Sequence, residues 1–199
     1  MRVLVVGTAG DVGKAAVAEL KPRHDLITAG RSSGDVRVDL LDATSISAMF
    51  EKVGKIDAVV ACAGHAHYGP LAAMTETQFM VGLKDKLMGQ VNLVLLGTRY
   101  VNDRGSFTLT SGVPDRDPVL KAVNAATVNG ALQGFVTAAA IELERGIRIN
   151  VVSPGLLEDS AKKYVGLFPG HETVSSKRVG LAYAKSVEGA ITGKVIIVA

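Results

Sequence analysis

A short apolar run at the start of the chain ends in glycines: Arg2-Val3-Leu4-Val5-Val6, then Gly7-Thr8-Ala9-Gly10-Asp11-Val12-Gly13. No other feature restricts the fold as tightly. The run reads as a buried strand, and Lys14 to Leu20 reads as a helix. A glycine-rich turn between the two points main-chain N–H groups and the positive end of a helix dipole at one place, which suits an anion. Gly7 permits the tight turn. Gly10 lets a diphosphate approach the main chain, and Gly13 lets the helix pack closely. The spacing is G-x-x-G-x-x-G rather than the commoner G-x-G-x-x-G. The plain alternative is an ordinary strand-to-helix turn, but its place after a first strand favours a dinucleotide.

The rest of the chain repeats the same alternation. Its pattern predicts strands at 2–6, 25–29, 36–38, 57–61, 105–110, 147–152 and 194–198. Helices are predicted at 12–20, 44–53, 75–101, 118–144 and 176–188. Strands alternating with helices imply an α/β fold: a parallel sheet covered on both faces. Asp42 and Thr75 are placed to cap helices. With 199 residues, no repeat and no linker, the chain is expected to form a single domain over 1–199. The segment 153–175, polar and irregular from 156 onward, reads as a mobile lid.

Composition limits the partners. No apolar run is long enough to span a bilayer, and an opening strand argues against a secretory leader. Cys62 is the only cysteine, which suits a reducing, cytoplasmic setting. The net charge is +3, with basic residues scattered and only nine Phe and Tyr (5 and 4). A nucleic-acid surface is therefore not expected.

The end of the second strand selects the cofactor. An acidic residue there would bind the adenosine ribose and select NAD. This chain has Arg31, Ser32 and Ser33 instead. A guanidinium fork and hydroxyls suit a 2′-phosphate, so NADP is expected. Asp39 is placed either to accept from the adenine amine or to cap the next helix.

Further landmarks fall in one order: Val38-Asp39-Leu40, Ala61-Cys62-Ala63-Gly64, Leu109-Thr110-Ser111-Gly112, Asn150-Val151-Val152-Ser153-Pro154-Gly155 and Gly193-Lys194-Val195-Ile196-Ile197-Val198. Together with the glycine turn they resemble the short-chain dehydrogenase/reductase superfamily over nearly the whole chain. The resemblance implies a doubly wound Rossmann fold of about seven parallel strands, order 3-2-1-4-5-6-7. It implies a nicotinamide cofactor held by Gly7, Thr8, Gly10, Asp11, Val12, Gly13, Arg31, Ser32, Asp39, Leu40, Ala63, Gly64, Asn129, Pro154 and Gly155. The segment 153–175 would cover the nicotinamide and a small-molecule substrate. The helices at 75–101 and 118–144 resemble those that pair between subunits, so a homo-oligomer, dimer or tetramer, is expected.

The departures fall where the chemistry should be. Ala61 and Cys62 replace two asparagines of the family pattern. Aligning Gly130-Ala131-Leu132 with the family's small-residue run puts Ala125 at the position of its Tyr and Asn129 at that of its Lys. A missing general acid costs about 10²–10⁴ in rate. Ser111 remains to polarise a carbonyl. Lys86 is the candidate for a substitute acid: it falls on or beside the apolar stripe Phe79, Leu83, Leu87 and Val94. Burial would lower its pKa into a useful range. The alternative is a Lys86 that reaches solvent or pairs with Asp85. His65, His67 and Tyr68 follow the fourth strand, where the substrate mouth is expected; the plain alternative is histidines of a surface loop. Two His at i, i+2 with no nearby carboxylate make a poor metal site, so no metal is expected. Tyr164 is placed to line a substrate, whereas Cys62 suits a core. Two functions fit these residues. One is an NADP(H)-dependent oxidoreductase for a small carbonyl or alcohol, with Ser111 and Lys86 catalytic. The other is a non-catalytic NADP(H)-binding sensor or regulatory module.

Overall fold

Main-chain pairing in the computed structural model, which describes residues 1–199, follows the predicted alternation. In chain order the elements are β1 (Arg2–Val6), α1 (Asp11–Leu20), β2 (Asp25–Gly30), β3 (Val36–Arg37), α2 (Ala43–Val53), β4 (Ile56–Ala61), α3 (Glu76–Gly82), α4 (Gly89–Gly97), β5 (Val101–Thr110), α5 (Val123–Glu142), β6 (Arg148–Pro154), β7 (Leu156–Leu157), β8 (Thr173–Val174), α6 (Ser176–Glu188) and β9 (Val195–Val198). Seven strands form a parallel sheet in the order β3-β2-β1-β4-β5-β6-β9. That is the expected 3-2-1-4-5-6-7 order, with β9 as the seventh strand of the sheet.

Both faces of the sheet are buried, which explains its continuous apolar strands. In β1, Leu4 and Val6 enter one core with Phe50, Leu93, Leu132 and Ile149. Val3 and Val5 enter the other with Leu20, Val179 and Tyr183. Successive residues alternate between faces because the strand period is two. Asp42 caps α2 by accepting from Thr44 N at 2.8 Å. Thr75 and Gln78 form a reciprocal capping box at the start of α3.

Four boundaries differ from the sequence expectation. The helix expected at 75–101 is broken by a π-helical segment over Leu83–Met88, and its last turn stops at Gly97. Its glycines are packing points: a Cβ on Gly82 would lie 2.4 Å from Asn124 Oδ1, and one on Gly97 2.5 Å from the Phe50 ring. The helix expected at 118–144 starts at Val123, because Lys121 holds a φ of 69° and its carbonyl accepts from Gly69 N at 2.9 Å. Strand β5 begins at Val101 and not 105; Arg104, with a φ of 62°, turns the chain within it. The segment expected as an irregular lid over 153–175 is largely regular. Ser153 and Pro154 belong to β6 and pair with Ile197 and Val198 of β9. Beyond them β7 and β8 form a two-stranded sheet that flanks a 3₁₀ segment, Glu158–Tyr164.

No helix is long and apolar enough to cross a membrane.

Candidate active site

The carboxyl ends of the central strands open into a cleft of about 600 Å³. Parallel strands direct their carboxyl ends, and the loops leaving them, to one edge. The cleft brings together Gly7, Thr8, Gly10, Asp11, Val12, Arg31, Ser32, Asp39, Leu40, Ala63 and Gly64 from the expected set. Gly13, Lys86, Ser111, Asn129, Pro154 and Gly155 do not line it.

The three glycines of the first turn differ in what they permit. Gly7 has a φ of +90°, and a Cβ there would stand 2.7 Å from Ala63. A Cβ on Gly13 would stand 2.2 Å from the Gly7 carbonyl, so Gly13 is a packing residue. Gly10 is different. Its Cβ would meet only the Gly7 carbonyl, at 3.8 Å. Nothing in the protein demands a glycine there, whereas an approaching ligand would. No side chain caps the first turn of α1, and its leading N–H groups suit an anion. The residues present therefore fit the diphosphate of a dinucleotide.

Arg31 and Ser32 line the far wall and are exposed. Asp39 Oδ1 accepts from Leu41 N at 3.0 Å, and Asp39 N donates to Ser45 Oγ. The cap of α2 is Asp42, so Asp39 is an Asx-turn residue on the cleft wall. Cys62 also faces the cleft, and burial pushes its thiol up to about 12. It is protonated at neutral pH and a poor nucleophile.

A second cluster of polar groups lies at the end of β5. Lys86 Nζ donates to the Ser111 carbonyl at 3.2 Å. Burial lowers this amine to about 8, against the opposing pull of Asp115. The stem of Lys86 crosses Gly64, where a Cβ would come within 2.8 Å of Lys86 Cα. Gly64 is thus required by the lysine path as well as by its own φ of +130°. The Ser111 hydroxyl is buried and has no partner in the chain. Asn129 donates through Nδ2 to the Gly112 carbonyl at 3.1 Å and leaves Oδ1 unpartnered. Its amide hydrogens are thus turned to the loop after β5. Ala125, at the position expected for a tyrosine, is 2% exposed. Pro154 is buried in β6, and Gly155 N donates to the Val198 carbonyl at 2.7 Å.

Several residues escaped the sequence reading. Asp115 is enclosed; Gln133 Nε2 donates to its Oδ2, and Arg116 lies 3.7 Å from its Oδ1. Burial raises its carboxyl above the ordinary range. Arg116 donates to both the hydroxyl and the carbonyl of Ser153. The only available signal was a charged pair, Asp115-Arg116, shortly after a candidate catalytic serine. His65 pairs with Asp85 at 3.1 Å, so the expected lack of a nearby carboxylate is corrected. That carboxylate lies 20 residues away in sequence. His67 N donates to Asn124 Oδ1 at 2.8 Å. Ser160, Lys163 and Tyr164 reach the cleft from the 3₁₀ segment.

A seven-stranded parallel sheet with a glycine turn on its first strand and an anion cleft at its carboxyl edge defines a dinucleotide-binding Rossmann protein. Comparison with known proteins narrows this. A family model described as enoyl-(acyl carrier protein) reductase matches residues 2–189. The chain belongs to the short-chain dehydrogenase/reductase superfamily of oxidoreductases. The protein lin1944 of Listeria innocua is 46% identical, with a TM-score of 0.99 and full coverage of both chains. A small-chain dehydrogenase solved in complex with NADPH is 27% identical, with a TM-score of 0.88, over 100% of this chain and 96% of that one. The short-chain reductase protein NovJ of Streptomyces niveus is 28% identical over 163 residues. That match takes in 79% of this chain and spans 60% of the NovJ length.

Proposed function

We propose that the protein is an NADP(H)-dependent oxidoreductase acting on a small carbonyl or alcohol, with Lys86 as its proton donor. The observation that carries this reading is the part-buried Lys86, its amine 3.2 Å from the Ser111 carbonyl, together with a serine hydroxyl that the chain leaves unpartnered. A buried hydroxyl without a partner costs free energy unless a ligand completes it.

The cofactor, when bound, supplies the hydride. The protein must supply a proton to the substrate oxygen. Ser111 donates a hydrogen bond to that oxygen and orients it. Lys86 then releases a proton to the oxygen as negative charge grows there. An ordinary lysine holds its proton too tightly for this at neutral pH. At about 8 the amine is charged yet able to give the proton up. Asp115 keeps Lys86 protonated by its charge, and Gln133 with Arg116 fixes the carboxyl. In the reverse direction neutral Lys86 takes the proton of an alcohol.

At the other end, Gly7, Gly10 and the head of α1 hold the diphosphate. Arg31 and Ser32 take the 2′-phosphate, and Asp39 faces the adenine. The NADPH carried by the 27% identical relative supports this assignment. The outer faces of the α4–α5 side carry Leu95 and Ile141, 63% and 89% exposed. A homo-oligomer built on those helices would cover them. The lone cysteine suits a reducing compartment, the cytoplasm.

The specific observation for a sensor is Ala125, buried where a family tyrosine would stand. Oxidation of NADPH against a panel of aldehydes, ketones and quinones separates the readings. Turnover that Lys86→Met abolishes supports the enzyme. Tight NADPH binding with no turnover against any carbonyl supports the sensor.

A further inference from the structure

The carboxylate of Asp11 is badly placed for an anion cleft. It stands in the first turn of α1, on the wall that also carries Gly7 and Gly10. A negative charge there stabilises the helix but opposes a diphosphate. The cleft neutralises it from the other side. Ser160 donates its hydroxyl to Asp11 Oδ2 at 2.7 Å, and Lys163 donates its ammonium to the same oxygen at 2.5 Å. Lys14 lies 3.8 Å from Oδ1. These hydrogen bonds, that of Lys163 foremost, hold the carboxyl below its ordinary range. Asp11 is therefore ionised at neutral pH.

The two halves of this contact are unequal. The Lys163 side chain is 63% exposed and that of Asp11 only 15%. An ion pair so open to water is weak and exchanges readily. Lys163 also comes from the 3₁₀ segment between β7 and β8, 152 residues along the chain from Asp11. The pair thus joins this segment to the head of α1 at the cleft wall.

We propose that Lys163 is a ligand for the cofactor diphosphate, held at the head of α1 by Asp11 until the cofactor arrives. The proposal rests on the NADP(H) reading and adds to it a residue from outside the glycine turn. The cation already lines the same cleft as Gly7, Gly10 and Arg31. Its amine sits on the carboxylate of Asp11, in the first turn of the helix whose leading amides would receive the phosphates, so binding exchanges one anionic partner for another. The same exchange keeps the 3₁₀ segment closed over the bound cofactor, and Asp11 acts as a positioning residue.

Two readouts test this, NADPH titration by nicotinamide fluorescence and chymotryptic cleavage after Tyr164 and Phe168 followed by mass spectrometry. Lys163→Met should raise the NADPH Kd about tenfold, the size of one lost charge-assisted hydrogen bond. It should also speed NADPH release, and the loss should shrink at high salt. Lys163→Arg should recover most of the affinity. Asp11→Asn should quicken cleavage of the free protein, and added NADPH should suppress that cleavage. In Lys163→Met NADPH should give no such protection. An unchanged Kd and release rate in Lys163→Met would overturn the proposal, as would unchanged cleavage in Asp11→Asn. Wild-type protein that takes up neither NADPH nor NADH would remove the cofactor reading beneath it, a distinguishable outcome.

Discussion

Replacing Lys86 with methionine should make the protein more stable at neutral pH while removing its proposed activity. Burial draws the amine from 10.5 to about 8. At 1.36 kcal/mol for each pH unit, keeping the charge in place costs the folded state about 3 kcal/mol. Methionine follows a similar path without the charge. It also leaves the Ser111 carbonyl without its donor, which costs about 1 kcal/mol. The balance at pH 7 is a gain of about 2 kcal/mol. The pH dependence has a definite sign. The folded pKa lies below the unfolded one, so between about 8 and 10.5 the unfolded chain binds more protons. Wild-type stability therefore rises across that window relative to the variant, and the penalty is gone above it. Urea unfolding of both proteins at neutral pH and near pH 10.5 reads this directly. The variant should be the more stable at neutral pH and slightly the less stable in alkali. A variant destabilised equally at both pH values would refute the buried-amine argument, and Lys86 would lose its claim as the acid.

Three further outcomes follow from the cleft and from the polar cluster at the end of β5. Arg31→Ala should weaken NADPH binding by about 10–100-fold and leave NADH unchanged, as fluorescence titration of both nucleotides would show. Gly7→Ala and Gly10→Ala should separate folding from binding. The first forces a side chain onto a φ of +90° and into Ala63, and should lower stability by more than about 1 kcal/mol. The second meets no protein atom closer than 3.8 Å; its melting temperature should hold while NADPH affinity falls. Ser111→Ala should lower turnover without weakening NADPH binding, and thermal unfolding should show no loss of stability, because the deleted hydroxyl has no partner.

The order of the sheet and the glycine turn were legible because each depends on local pattern. A run such as Val3 to Val6 buries both faces wherever it lies, and the glycines follow it directly. The break over Leu83–Met88 was not legible. An apolar stripe of Phe79, Leu83, Leu87 and Val94 fits an unbroken helix equally well, and the reasons for its glycines lie across the fold on Asn124, Leu40 and Phe50. The late start of α5 depends on the Lys121 main chain, which meets Gly69 from a distant loop. The site divides in the same way. Lys86 could be suspected from helical spacing and from the absence of a tyrosine at Ala125. Asp115 and Lys163 could not, since each gains meaning only from loops brought together by tertiary closure.

The π-helical stretch has an evolutionary consequence. Such a stretch holds one residue more than the same span of α-helix requires. Deleting a residue between Leu83 and Lys86 would let the helix close up and rotate the preceding side chains by about 100° relative to those after it. The lysine would then lose its track over Gly64, or the packing of α3 on Asn124 would give way. The position of this amine thus depends on the length of a gene segment as much as on which codon it carries. Relatives that differ by one residue here should have found their proton elsewhere, even where the lysine itself survives.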